Sequence, residues 1–345
     1  MEKISWAKNI AGKLTWAVLE SSGIRRKLIA KLLRRERIKP HEIEVLAAMR
    51  EANSISPSPY RASPIWTDLA AKFDDWFWSE GIDSVETQQM NRFFSSPRPG
   101  DPKLLQYACW LYYQNIKNRD TMNLLAKVPC TIPPASDLSF NFEGTTVSWD
   151  LLISVDTVYA LADAFPAIIS EPVVILDLGA GWGRMGYALK KANPLCTYVV
   201  CDLPEALLVS SIYLPRLLPG ERVLSFPETR NTSLNALQSP DGGLWFLGTQ
   251  DLERIPDKSV DYLINIASFQ EMTYKQVAEY FAIIDRKVGG VFFTQQLKNS
   301  QTHSYNLGEI KSADDYPFRE DWTKLFYRDA TFSDLYFETA YFIPK

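Results

Sequence analysis

Apolar residues in the second half of the chain form short, nearly continuous runs. Most of these runs are followed by a segment whose apolar residues recur at helical spacing. Runs of this kind are typical of strands that are buried on both faces of a parallel sheet. Because strands and helices alternate, with helices near 183–192 and 205–217, the pattern predicts a doubly wound α/β sheet. Five parallel strands are expected, at 173–179, 197–203, 244–249, 262–268 and 291–297.

The C-terminal tail departs from this alternation. Two strand-like runs, WTKLFYRDATF (322–332) and LYFETAYFI (335–343), are separated by a short gap without a helix. A short gap can join antiparallel strands, whereas a parallel crossover needs a longer connection. We therefore expect an antiparallel hairpin that closes one edge of a mostly parallel, seven-stranded sheet.

The first half of the chain is predicted to be helical, because its apolar residues recur at helical spacing. Two stretches rich in proline and turn residues, 53–64 and 128–142, interrupt the pattern. We expect an α-helical N-terminal domain, 1–145, that caps an α/β domain, 146–345. Its helices are expected over 4–37, 41–52, 65–79, 84–94 and 102–126, with a further helix at 148–165 leading into the sheet.

Charge is distributed unevenly along the chain. The net charge is −4, which argues against nucleic acid as the main partner, yet residues 1–39 hold eleven Lys/Arg against three Asp/Glu. A basic helix with an apolar stripe is typical of a helix lying on an anionic membrane or on a second subunit of a homo-oligomer. A helix packed on its own domain, with a solvated basic face, explains the same pattern.

The four cysteines, Cys109, Cys130, Cys196 and Cys201, form no C-x-x-C pair and are expected to be reduced core residues. No apolar run reaches the length of about 18–20 residues that spans a bilayer. The N-terminus lacks the features of a signal peptide. These observations predict a cytoplasmic protein.

The stretch GAGWGRMG (179–186) contains two glycine signatures. Read from Gly181 it is the G-x-G-x-x-G of dinucleotide-binding folds, in which the first glycine ends the first strand. The predicted strand ends at Leu178, so the frame aligned with the strand starts at Gly179 and has Arg184 in place of the third glycine. Read from Gly179 it is G-x-G-x-G, whose glycines let the backbone approach a ligand closely.

Two carboxylates accompany the glycines. Asp177 precedes the turn and would repel a pyrophosphate, but it suits a ligand that carries an ammonium and a sulfonium group. Asp202 ends the next strand, where its oxygens can accept hydrogen bonds from two ribose hydroxyls. A ribose is common to both kinds of cofactor, so Asp202 does not choose between them.

ILDLGAGWG resembles motif I of class I S-adenosylmethionine-dependent methyltransferases, and CDLP resembles their acidic second-strand motif. GTQDLERIPDKSVDYLIN is similar to the passage between their third and fourth strands, where an acidic residue contacts adenine; a helix cap also explains Asp251. The resemblance covers about 172–345 and implies S-adenosylmethionine as cofactor. The contacts that it implies are Asp177, Gly179, Ala180, Gly181, Gly183, Asp202, Leu203, Asp251, Leu252 and Ala267.

A narrower resemblance concerns the acceptor. DLPEALL, NIASFQEM and YPFREDW are similar to the putative sugar O-methyltransferases of bacterial glycan gene clusters, which implies transfer to a sugar or glycan hydroxyl. N- or C-methylation of another small molecule stays open, as does a non-catalytic protein with this fold that binds a partner. The many tryptophans before residue 150, Trp66 among them, would stack on sugar rings or pack in helical cores.

Polar residues after the fourth and fifth predicted strands are the candidates for acceptor chemistry, because open α/β sheets bind ligands at the carboxyl ends of their strands. Glu271 and His303 are predicted to be catalytic, one as the base and the other supporting it. For Glu271 the alternative is a helix-capping acid, and for His303 an exposed loop residue. Acceptor contacts are expected from Ser268, Gln270 and Asn299. No compact pattern of metal ligands is present, so no residue is assigned to a metal, although the resemblance to sugar O-methyltransferases leaves a divalent ion open.

Overall fold

A computed structural model describes residues 39–80, 100–130, 139–299 and 309–345 of the chain. The basic helices expected over 4–37, the helix expected over 84–94 and the candidate base His303 lie outside the described residues. No helix in the described part of the chain is long and apolar enough to cross a membrane.

Helices precede and flank the sheet. They are α1 (Pro40–Ser54), α2 (Pro64–Glu80), α3 (Pro102–Lys117), α4 (Leu124–Lys127), α5 (Trp149–Ala164), α6 (Ala167–Ser170), α7 (Arg184–Ala192), α8 (Pro204–Leu217), α9 (Phe226–Asn231) and α10 (Tyr274–Lys287). Short 3-10 turns cover Ser58–Tyr60, Leu234–Gln238, Thr249–Arg254, Phe269–Glu271 and Ala313–Asp315.

The strands are β1 (Ser139–Phe142), β2 (Thr145–Ser148), β3 (Val174–Leu178), β4 (Thr197–Asp202), β5 (Val223–Leu224), β6 (Gly243–Gly248), β7 (Val260–Ile266), β8 (Val288–Leu297), β9 (Thr323–Ala330) and β10 (Ser333–Phe342). The large sheet has the order β5-β6-β4-β3-β7-β8-β10-β9, and every pair from β5 to β8 is parallel. The order reverses between β3 and β7. The crevice outside the carboxyl ends of β4, β3 and β7 is therefore where a doubly wound sheet binds its ligand.

The prediction of seven strands in this sheet is wrong, because the described sheet has eight. All seven predicted runs are strands, and the additional one is β5, a two-residue strand paired to β6 at the edge. A strand this short has no periodicity to detect. At the opposite edge β10 pairs antiparallel with both β8 and β9, as a C-terminal hairpin does.

Two other expectations need correction in the N-terminal half. The helix expected over 102–126 ends at Lys117, and a separate short helix, α4, follows the turn at 118–123. The stretch 128–142, expected to be irregular, contains β1, which pairs antiparallel with β2 around Glu143 and Gly144. Both residues have positive φ, 54° and 86°, as a tight hairpin turn requires.

The helices before the sheet share its core. One continuous apolar cluster contains Leu46 of α1, Leu105 of α3, Leu152 of α5 and Ile175 of β3. A second cluster covers the other face of the sheet and includes Phe281 of α10. Burial of both faces explains why β3 and β4 consist of buried residues throughout. The described N-terminal helices are therefore held directly against the α/β sheet.

Candidate functional site

The glycine turn after β3 is built from positions that disfavour side chains. Gly179, Gly181 and Gly183 have φ values of 76°, 59° and 91°. A Cβ on Gly179 would lie 2.2 Å from the Ser268 Oγ, and one on Gly183 would lie 2.6 Å from the Leu214 Cδ1. The turn thus needs glycine both for its conformation and for its close approach to the loop after β7. Gly179 follows β3 directly, which is the strand-aligned frame.

Asp202, the last residue of β4, lies against this turn. Its Oδ2 accepts a hydrogen bond from the Gly181 N–H at 2.7 Å, and its Oδ1 accepts one from the Leu203 N–H at 2.6 Å. Asp202 is 7% exposed, so its carboxylate lies at the edge of the crevice with little surface open to solvent. Burial raises the pKa of this carboxyl to about 7, although the two N–H donors lower it. Each oxygen keeps a lone pair for a ligand hydroxyl.

Asp177 supports the turn from below. It is only 2% exposed, and its Oδ2 accepts a hydrogen bond from the Tyr198 hydroxyl at 2.6 Å. Burial raises the pKa of Asp177 to about 7, while Tyr198 and then Arg184 lower it. The side chain therefore has almost no surface for direct contact, and the cofactor contact expected at Asp177 stays a prediction.

Asp251 and Leu252 do not line the crevice. The Asp251 Oδ1 accepts from the Arg254 Nη1 at 3.0 Å, and Arg254 also donates to the carbonyl oxygens of Thr229, at 2.9 Å, and Arg230, at 3.1 Å. Leu252 is 1% exposed in the apolar core. These contacts fasten the turn after β6 to α9, so the predicted cofactor contacts at both positions are corrected to structural roles.

The loop after β7 is fixed to the glycine turn by buried amides. The Asn265 Nδ2 donates to the Leu178 carbonyl at 2.6 Å, and Asn265 in turn accepts from the Gln296 Nε2 at 2.6 Å. Ala267 has a positive φ of 54°, a conformation that bends the chain back so that the neighbouring Ser268 packs on Gly179. Ala267 and Ser268 are half-buried beside the glycine turn, and their contacts with cofactor and acceptor stay predictions.

Gln270 does not face the crevice. It is 3% exposed, and its Oε1 accepts a hydrogen bond from the Leu297 backbone N–H at 2.8 Å. Its own N–H donates to the Gln296 side chain at 3.2 Å. These bonds hold the loop after β7 to β8, which corrects the predicted acceptor contact to a structural role.

Glu271 lies one residue further on, in the 3-10 turn Phe269–Glu271. Its Oε2 accepts a hydrogen bond from the Trp66 indole N–H at 2.7 Å, so a residue of α2 reaches the carboxyl edge of the sheet. Withdrawal from water raises the pKa of Glu271 to about 7; Trp66 lowers it and the charge of Asp202 raises it. A carboxyl that titrates near neutrality beside a ligand crevice is suited to proton transfer.

Residues 53–66, which we call the strap, cross this edge of the sheet. The Asn53 Nδ2 donates to the Tyr60 carbonyl at 2.7 Å and to the Thr249 Oγ1 at 3.2 Å. The Gln276 Nε2 donates to the Arg61 carbonyl at 2.9 Å. The strap is thereby fastened to the turn after β6 and to the first turn of α10. The turn residues of 53–64 predict only a break in the helical pattern, and the pairing across nearly 200 residues reveals the role of this stretch.

Tyr336 is a further residue that the sequence does not single out. It is 2% exposed on β10, opposite Leu297. Burial raises the pKa of Tyr336 to about 12 and the charge of Glu271 raises it further, whereas a hydrogen bond with Gln270 and the charge of Arg184 lower it. The buried phenol therefore lies close to both Gln270 and Glu271.

Two remaining candidates lie at or beyond the limit of the described residues. Asn299 is exposed and forms an isolated antiparallel bridge with Ser312, so its place beside the crevice stays a prediction. His303 belongs to the stretch that is not described. Within residues 39–80, 100–130, 139–299 and 309–345, no group of three His, Cys, Asp or Glu side chains is arranged to hold a metal ion.

Comparison with known proteins gives only distant likenesses. No family model matches the chain, and no curated protein matches it. The magnesium protoporphyrin IX methyltransferase ChlM of Synechocystis PCC 6803, solved with bound SAH, is similar over 66% of this chain and 95% of its own, at 11% identity and a TM-score of 0.41. Human N-acetylserotonin methyltransferase, solved with SAM, is similar over 84% and 72%, at 13% identity and a TM-score of 0.35.

The pyocyanin biosynthetic protein PhzM gives a likeness of the same order. The match covers 55% of this chain and 54% of PhzM, at 13% identity and a TM-score of 0.37. Scores this low carry no argument about function. The functional conclusion therefore depends on the geometry and charge of the crevice.

Proposed function

We propose that this protein is an S-adenosylmethionine-dependent O-methyltransferase that acts on a hydroxyl of a sugar or glycan. The observation that carries the proposal is the group of carboxylates around the glycine turn. Asp177 and Asp202 lie beside the turn, Glu271 lies across the crevice, and the charge of Asp202 raises the pKa of Glu271. In their ionised forms these carboxylates favour a cationic ligand, and a bound cation in turn favours their ionisation.

The residues present fit that cofactor. Gly179 and Gly181 leave a turn without side chains, into which a Cβ at position 179 would intrude, so a ligand can lie against the backbone. Asp202 would accept bonds from ribose hydroxyls, and Leu203, Ala180, Gly183, Ala267 and Ser268 would line the rest of the site. Bound there, S-adenosylmethionine supplies an electrophilic methyl group on a sulfonium.

The dinucleotide alternative has one observation in its favour. Gly186 packs closely on β4, because a Cβ there would lie 2.7 Å from the Tyr198 ring, and close helix–strand packing is the role of the third glycine in a dinucleotide fingerprint. The charges weigh against it, since a pyrophosphate carries two negative charges. Asp177 would have to be protonated beside such a ligand, whereas Asp202 would bind a ribose of either cofactor.

Glu271 is the base in this proposal. In its ionised form the carboxylate takes the proton of the acceptor hydroxyl as the oxygen attacks, and a pKa of about 7 suits that role at neutral pH. The protein contributes further by holding two reactants in line and by excluding water from between them. The strap, fastened to the turn after β6 and to the first turn of α10, covers that edge of the sheet and serves this exclusion.

A sugar acceptor is supported by the wall beside Glu271. The rings of Phe332 and Tyr336 lie 5.0 Å apart, and together with Leu297 and Ala267 they form a small apolar cluster. The Tyr336 hydroxyl is the polar side-chain group of this cluster. Apolar rings with sparse hydrogen-bonding groups suit a ligand that has both an apolar face and hydroxyls.

A methyl-transfer assay tests the proposal. We expect tritium from S-[methyl-³H]adenosylmethionine to appear in one or more members of a panel of free hexoses, deoxyhexoses and nucleoside-diphosphate sugars, as an O-methyl ether. Label in amine acceptors alone would replace the proposal with N-methylation. Tight cofactor binding with no label in any acceptor would favour the non-catalytic alternative.

A further inference from the structure

The hydrogen bond between Trp66 and Glu271 joins two parts of the chain that are 205 residues apart. Its length, 2.7 Å, is short for an indole donor and typical of a bond to an ionised acceptor. Trp66 lies in the first turn of α2, just after the strap is fastened through Tyr60 and Arg61. The Trp66 indole therefore reaches Glu271 from a segment whose backbone is fixed by hydrogen bonds to Thr249 and Gln276.

The Trp66–Glu271 hydrogen bond sets Trp66 apart from tryptophans that only pack in the core. Trp182 and Trp245 are buried with indole N–H groups that have no partner among the described residues. Trp66 is half-buried and directs its only polar atom at the candidate base. An indole has a single donor and no acceptor, so it can hold a carboxylate but not a protonated carboxyl through its O–H.

We propose that Trp66 is a positioning residue, which fixes the Glu271 carboxylate toward the crevice and stabilises its ionised form, so that the strap completes the catalytic site. The proposal rests on the proposed function for its catalytic part. Its structural part, the bond to an ionised Glu271, stands apart from any transfer reaction.

The groups that face Glu271 determine the direction of the effect. Asp202, from the end of β4, raises the pKa of Glu271, and the Tyr336 phenol faces it from β10. Trp66, from α2, is the one neighbour that lowers this pKa among the causes resolved for the described residues. Without the indole, Glu271 would hold its proton to a higher pH, and less of it would be ionised at pH 7.

The pH dependence of the Trp66 indole N–H resonance tests the hydrogen bond in the intact protein, and it needs no methyl acceptor. In ¹⁵N-tryptophan-labelled protein, the Trp66 Nε1–H resonance is assigned as the one missing from the Trp66→Phe spectrum. We expect this resonance to shift with pH with a midpoint near 7, and we expect the shift to disappear in Glu271→Gln. A resonance that does not move between pH 5 and 9, or that moves equally in Glu271→Gln, would overturn the proposal.

The Trp66→Phe variant tests the catalytic part, with Trp322→Phe as the matched control. The indole N–H of Trp322 also donates to a carboxylate, that of Asp285, at 2.8 Å. Asp285 lies near the end of α10, away from the crevice. Loss of a hydrogen bond to a charged group corresponds to about a tenfold change, so we expect the acidic limb of the kcat profile to move up by about one pH unit in Trp66→Phe only.

The shape of that profile separates positioning from a general loss of structure. A positioning role gives a rate loss that is large at low pH and recovers as pH rises, whereas a structural role lowers the rate equally at every pH and contradicts the proposal. Should no transfer be found for any acceptor, the indole titration still decides the bond, so failure of the proposed function and failure of this inference remain distinguishable.

Discussion

Glu271→Gln is expected to lower kcat by at least about tenfold, and by up to the ~10²–10⁴-fold that a general base typically contributes, with little change in the affinity for S-adenosylmethionine. Glutamine keeps the size of the side chain but cannot take a proton. An interaction needed only in the transition state affects kcat and kcat/KM together. The carboxylate has a pKa of about 7, so the wild-type rate should fall as pH decreases below neutrality, and the variant should lack this limb.

Single-turnover rates measure this effect without interference from product release. Glu143→Gln is the control, since Glu143 lies in the turn between β1 and β2 and is 52% exposed. The control should keep the wild-type rate and pH profile. A Glu271→Gln variant with full rate would show that Glu271 only supports the turn after β7, and the base would then have to be sought elsewhere, with His303 as the remaining candidate.

Asp202→Ala is expected to weaken binding of S-adenosylhomocysteine by roughly 1.5–3 kcal/mol, the cost of losing a hydrogen bond to a charged group. The change removes the ribose acceptor at the end of β4, and it also releases the Gly181 N–H, which loses its partner. Binding is measured by calorimetry. Asp241→Ala is the control, because Asp241 is an exposed carboxylate that pairs with Arg222.

Thermal melting of the same Asp202→Ala variant accompanies the binding measurement, so that loss of affinity is not mistaken for loss of fold. Unchanged affinity in a folded Asp202→Ala variant would show that no ligand hydroxyl is bound at this carboxylate. The placement of the cofactor in this crevice would then be wrong.

The parts of the fold predicted from the sequence are those whose signal is local. The buried strands β3 and β4 are continuous apolar runs, and the turn at Gly179 follows from glycines at fixed spacing after such a run. Asp202 was placed correctly because it ends a strand that the pattern defines. The two-residue β5 has no such pattern, since its only support is the pairing with β6.

The parts of the site that could not be predicted depend on contacts between distant segments. Spacing places Gln270 at the end of a strand, but only the fold shows that its side chain turns inward to the Leu297 N–H. Spacing places Asp251 after a strand, but the carbonyl oxygens of Thr229 and Arg230, more than 20 residues away, hold the Arg254 side chain against its carboxylate. Trp66 reaches Glu271 through the strap, and no feature of the sequence near residue 66 indicates that partner.

Calorimetry of the full-length chain with S-adenosylhomocysteine and with NADH is the most direct test of the central claim, that the crevice beside Gly179 and Asp202 binds a methyl-donor cofactor. We expect S-adenosylhomocysteine to bind in the micromolar range and NADH not to bind, because a negative charge on Asp177 disfavours a pyrophosphate at the glycine turn. Binding of NADH without binding of S-adenosylhomocysteine would contradict the claim.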